Sequence, residues 1–173
     1  MIKKLSISIL ILLSILFANE NNNSVWKSKK IEKEYMVDFD RNTTCLVRHI
    51  KLYKNPKWVA KITVKNGKVV YFCSPKSMFE FYFRPVKWYD IGVRKESDFK
   101  EILVTDFNTL KAINAKDAFF VYGSRVISPA GDDLPAFATK REAEEFVKKE
   151  GGSRVFSFDK VPYGLIKLLN NSL

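Results

Sequence analysis

The chain has 173 residues, carries a formal charge of +11 and is 46% hydrophobic. That length and composition suit one domain with a buried core and exclude a chain disordered by composition. Two cysteines and one histidine leave few parts for a Ser/His/Asp or Cys/His catalytic apparatus.

Lys3 and Lys4 open the chain, and residues 5–17 (LSISILILLSILF) follow without a charge. A positive lead and a short apolar run predict a signal peptide over 1–18, because a spanning helix needs about 20 apolar residues. Leu16 stands where a small residue is preferred before cleavage, so an uncleaved membrane anchor is the alternative. No cysteine follows the run, and a lipid-anchored N-terminus is not expected. Residues 19–34 form a polar and basic lead-in containing Lys27, Lys29 and Lys30. The expected compartment is the periplasm, which permits disulfides and offers no nucleic acid. The basic balance suits an acidic partner protein or weak contact with a membrane surface.

Residues 35–39 alternate weakly and predict an edge strand. Residues 58–64 (WVAKITV) alternate apolar and polar and are rich in β-branched side chains, a strand pattern. Asn66-Gly67 predicts a two-residue type I′ hairpin, since both tolerate positive φ, with the return strand over 69–72. Ser74-Pro75 reads as a helix start: the hydroxyl accepts from an orphan N–H, and proline suits the first helical position. The helix is expected over 76–83, stopped by Arg84-Pro85. Strands are expected over 102–107 and 118–124, a loop over 128–134 (SPAGDDL), and a short strand over 135–138. Thr139 and Glu142 form a capping box for a helix with Ala143, Phe146 and Val147 on its apolar face. Gly151-Gly152 ends that helix. Residues 155–158 close the last strand, and 161–173 form a short C-terminal helix or tail.

The expected fold class is α+β. A domain over 35–160 would hold two small related strand-hairpin-plus-helix (ββαβ-like) units packed together, about 35–107 and 108–160. The argument for duplication is one of topology, because the halves share little sequence.

Several stretches carry a resemblance to a known family: CLVRHIKLYKNPKWVAKITVKNGKVVYFCSPKSMFEFYF, then VTDF, INAKDAFFVYGS, PAGDDLPAF and EAEEFVKKEGG. From about Cys45 to about Asp159 the chain resembles the NosL family, the accessory proteins of nitrous oxide reductase. The resemblance implies a fold of paired α+β halves akin to organomercurial lyase. It also implies a periplasmic, non-enzymatic copper chaperone that delivers Cu(I) to nitrous oxide reductase or its maturation machinery. Cys45 matches the first cysteine of the family's Cys-x-x-Cys-Gly-Met element, while Arg48, His49 and Ile50 replace the other three positions. Met78 matches a methionine of the family's helix, and Ala130 replaces one in the later loop.

Cu(I) prefers sulfur donors and accepts imidazole. The resemblance supplies Cys45 and Met78 as donors, and this sequence itself adds Cys73, where the family usually has an acidic residue, with His49 as a fourth; Met36 is weighed as core. Cys73 stands just ahead of a helix N-terminus, a position that favours the thiolate. A second reading remains open: two cysteines in an exported chain pair as a Cys45–Cys73 disulfide, which would staple a non-metal binding or adaptor module on the same scaffold. Carbon–metal bond cleavage would rest on fold analogy alone. Asp132-Asp133 and Asp106 are expected to organise turns.

Overall fold

The computed structural model describes residues 36–171. The expected signal peptide and lead-in lie outside the described residues, as does Tyr35. The elements run β1 (Ala60–Val64), β2 (Val69–Phe72), α1 (Pro75–Phe83), β3 (Phe99–Thr105) and β4 (Ala112–Asn114). They continue as β5 (Phe119–Tyr122), β6 (Ala136–Phe137), α2 (Lys140–Glu150), β7 (Arg154–Ser157) and α3 (Tyr163–Leu169). Two sheets result, ordered β2-β1-β3-β4 and β6-β5-β7, with antiparallel pairing throughout. This is the expected α+β class. In each sheet the earliest strand lies inside, and a helix follows the second strand.

One core serves both sheets. Phe72 and Val104 from the first share a buried cluster with Phe120 and Phe156 from the second. Phe79 of α1, in the same cluster, has its ring 5.0 Å from both Phe120 of β5 and Phe158 just after β7. A second, smaller cluster lies under α2, built on Val121, Phe137, Ala143 and Phe146. The sheets also touch directly at Asp106 and Ala136, where the Phe107 N–H donates to the Ala136 carbonyl at 2.8 Å.

Local signals place the helices. Ser74 caps α1 by accepting from the Ser77 N–H, with Pro75 in the first turn. Thr139 and Glu142 close a reciprocal capping box on α2. Along β1 every second residue is buried, as a half-buried strand requires.

Some expectations are corrected. Residues 36–39 form no strand. Trp58 belongs to a 3-10 turn (Pro56–Trp58) rather than to β1, because Pro56 starts a helical turn ahead of the strand. The β1–β2 hairpin is not a two-residue type I′ turn. Gly67 alone has positive φ (+90°), and its N–H donates to the Val64 carbonyl across a three-residue loop. Asn66 is drawn elsewhere, its side-chain amide donating to the Ile91 carbonyl at 2.9 Å.

Candidate metal centre

Cys45 and Cys73 reach one another from separate segments. Cys45 opens a tight loop: its N–H donates to the Ile50 carbonyl at 2.9 Å, and its carbonyl accepts from the His49 N–H at 2.9 Å. The next residue ties this loop to β2, with the Leu46 N–H donating to the Tyr71 carbonyl at 2.8 Å. Cys73 follows β2 directly and precedes the cap of α1. The loop therefore lays Cys45 against the end of β2, where each thiol lies close enough to shift the other's ionisation. Both side chains are buried and both are free cysteines.

The surroundings make the two thiols unequal. The Cys73 S–H is the main stabiliser of the Cys45 thiolate, opposed by burial and aided by the Arg48 N–H, which donates to Cys45 Sγ at 3.3 Å. Together they pull Cys45 down to about 6. Cys73 is pushed far above the ordinary thiol range, first by its hydrogen bond to Cys45 and then by burial. The pair thus gives up one proton readily and holds the other. Ser77 Oγ lies 3.7 Å from Cys73 Sγ.

The remaining expected donors are placed differently. Met78 is fully buried in α1 within the shared core. His49 is exposed and takes left-handed backbone, φ +57°. Among the described residues, no three His, Cys, Asp or Glu side chains gather where they could hold an ion.

Two features near the thiols are not marked by any sequence pattern. The first is Lys76, whose side chain is buried and whose Nζ donates to the carbonyls of Ala130 at 2.6 Å and Leu169 at 3.1 Å. Burial holds this ammonium below the usual lysine range, with Asp133 working against it. A cavity of about 720 Å³ is lined by Lys76, Ser124, Ala130, Gly131, Asp132 and Asp133, and by neither thiol. The second is Arg48, one of whose Nη atoms donates to Glu80 Oε2 at 3.1 Å and to Asn170 Oδ1 at 2.5 Å. Its place in Cys45-x-x-Arg48 was the only available hint.

The acidic residues act within the fold. Asp106 accepts from the N–H groups of Asn108 and Thr109 and from that of Ala138. Asp133 accepts from the Lys76 and Leu134 N–H groups and the Ser128 hydroxyl.

A buried dithiol that ionises once is a soft donor pair, and it is equally two sulfurs placed to be oxidised together. Among the described residues no helix is long and apolar enough to cross a membrane.

Comparison with known proteins extends this picture. No curated protein matches the sequence significantly. Among solved structures, the chain is similar to the copper chaperone NosL from Shewanella denitrificans, with 25% identity and a TM-score of 0.64 over 74% of this chain and 96% of that one. It is also similar to apo-NosL from Achromobacter cycloclastes, with 21% identity and a TM-score of 0.39 over 62% and 87% of the two chains. A profile of the NosL family matches residues 36–166, a span that takes in every described strand and both cysteines. The chain belongs to the NosL family.

Proposed function

We propose that this chain is an exported, periplasmic copper-binding chaperone that carries Cu(I) and passes it to an acceptor in nitrous oxide reductase maturation. One observation carries the reading: two buried free cysteines from different segments meet in the fold, close enough that each shifts the other's ionisation. The copper chaperone from Shewanella denitrificans supports the choice of metal.

In this reading the Cys45 thiolate takes the ion first. Cys73 then gives up its proton to solvent as its sulfur binds, so loading releases one proton. Met78 and His49 are the further donors. Transfer is ligand exchange: a donor atom of the acceptor binds the ion, one cysteine sulfur leaves, and copper keeps its oxidation state. Soft thiolates favour the monovalent ion.

The test is anaerobic titration of the reduced protein with Cu(I) against a competing chromophoric chelator, alongside Cys45→Ser and Cys73→Ser. Tight one-to-one binding that collapses in both variants supports the reading. Failure to compete with the chelator sinks it. The same contact favours a second reading, a disulfide-stapled adaptor module. Thiol titration of the protein as isolated from the periplasm separates the two, since a native bridge leaves no free thiol.

A further inference from the structure

A carrier must open its site, yet Cys45 and Cys73 are 0% and 2% exposed. The loop through Leu46, Val47, Arg48 and His49 lies against Cys45, whose Sγ accepts from the Arg48 N–H at 3.3 Å. The loop's end near Leu46 is fastened to β2, and its return at Ile50 is fastened to Cys45 itself. Between those points the Arg48 and His49 N–H groups bond to Cys45, while Leu46 and Val47 pack on the core, and the side chain of Arg48 supplies the tie to more distant elements. It crosses to Glu80 on α1 and to Asn170, the C-cap of α3. Asn170 completes the triangle, its amide donating to Glu80 Oε2 at 2.9 Å. The end of α3 is itself held to α1, through Lys76 and the Leu169 carbonyl.

This clasp closes without gripping hard. Arg48 and Glu80 side chains are 33% and 18% exposed, and part-exposed ion pairs contribute little. Glu80 is shared with Lys87, at 3.8 Å. The Nε of Arg48 is buried without a partner among the described residues, which costs energy in the closed state. His49 adds a non-glycine residue in left-handed backbone. The loop thus carries its own backbone bonds and the packing of Leu46 and Val47 on the core, and the one side chain that ties it to α1 and α3 is Arg48, set against local costs that opening would relieve.

We infer that Arg48 is a positioning residue for the thiol pair: its clasp on Glu80 and Asn170 keeps the 46–49 loop over Cys45 and Cys73, and release of that clasp alone, with the rest of the fold intact, exposes the sulfurs. Its part in metal transfer rests on the function proposed above. Its part in covering the thiols does not.

Thiol labelling tests it without metal. The reduced full chain is mixed with dithiobis(nitrobenzoate), and the rate is followed at increasing low urea. Local opening exposes little surface, so the wild-type rate is expected to be nearly flat in urea, whereas exposure through global unfolding rises steeply. Glu80→Gln and Arg48→Gln should each label about two to five times faster, as expected for loss of a modest ion pair. The double variant should be no faster than Arg48→Gln alone, which already removes the contacts to both Glu80 and Asn170. Thr139→Ala weakens the distant cap of α2 and should leave the rate unchanged. Single variants that label at wild-type speed overturn the inference. So does acceleration by Thr139→Ala, or a wild-type rate that climbs steeply with urea. Fast labelling in Glu80→Gln with no Cu(I) binding in any form would leave the clasp standing and remove the copper reading; tight Cu(I) binding with unchanged labelling would do the reverse.

Discussion

The backbone N–H of Lys76 donates to Asp133 Oδ1 at 2.8 Å, joining the first turn of α1 to the loop ahead of β6 across 57 residues. The same carboxylate takes the Leu134 N–H at 2.9 Å and the Ser128 hydroxyl at 2.7 Å. Asp133 is therefore a fully partnered buried acid that fixes the helix carrying Cys73 at its threshold. Asp133→Ala would strand these donors and should cost about 2–4 kcal/mol, read from urea unfolding.

Burial raises the Asp133 carboxyl above its ordinary value of 3.8, against the pull of its donors. A raised acid binds its proton more tightly when folded. Stability contributed by this group therefore falls as pH rises from the unfolded value to the folded one, and is level above that. Asp133→Asn should remove that slope from a stability–pH profile measured on the acid side, whatever its effect on the absolute value.

The thiol pair makes the opposite prediction. Cys45 is lowered to about 6, first by the Cys73 S–H. Stability of the reduced protein should rise as pH climbs from about 6 toward the unfolded thiol value, and be lost as pH falls through about 6. Ultraviolet thiolate absorbance should show one thiolate, not two, appearing in the neutral range. Cys73→Ala should move that titration upward, because it removes the chief donor.

Met78 is 0% exposed, so its role as a donor has to be separated from its role in packing. Met78→Ala should cost about 2–5 kcal/mol as a cavity. Met78→Leu conserves volume and should cost less than about 1.5 kcal/mol. If the sulfur binds copper, Met78→Leu should still lose about tenfold or more in Cu(I) affinity, about 1.4 kcal/mol. Unchanged affinity in a well-folded Met78→Leu would confine Met78 to the core.

Phe79 packs α1 onto the second half of the chain through Phe120 of β5 and Phe158 just after β7. Phe79→Ala should cost about 3–5 kcal/mol. Unfolding should stay a single transition by fluorescence and circular dichroism, because the core is shared.

What the sequence determined by itself is what acts over a few residues. Ser74-Pro75 and the Thr139/Glu142 box mark their helices because a cap satisfies N–H groups within one turn. Alternation marks β1, because side-chain direction in a strand repeats every second residue. Residue type was enough to single out Cys45 and Cys73. Only the tertiary structure decided that they meet, since that depends on the Leu46 N–H finding Tyr71 in β2. It also decided the hairpin, where Asn66 is claimed by Ile91, 25 residues away. It buried Lys76, and it carried Arg48 to Glu80 and Asn170, 32 and 122 residues distant. Such contacts leave no local trace: each partner is an ordinary polar residue until packing takes it from water and leaves it one place to bond.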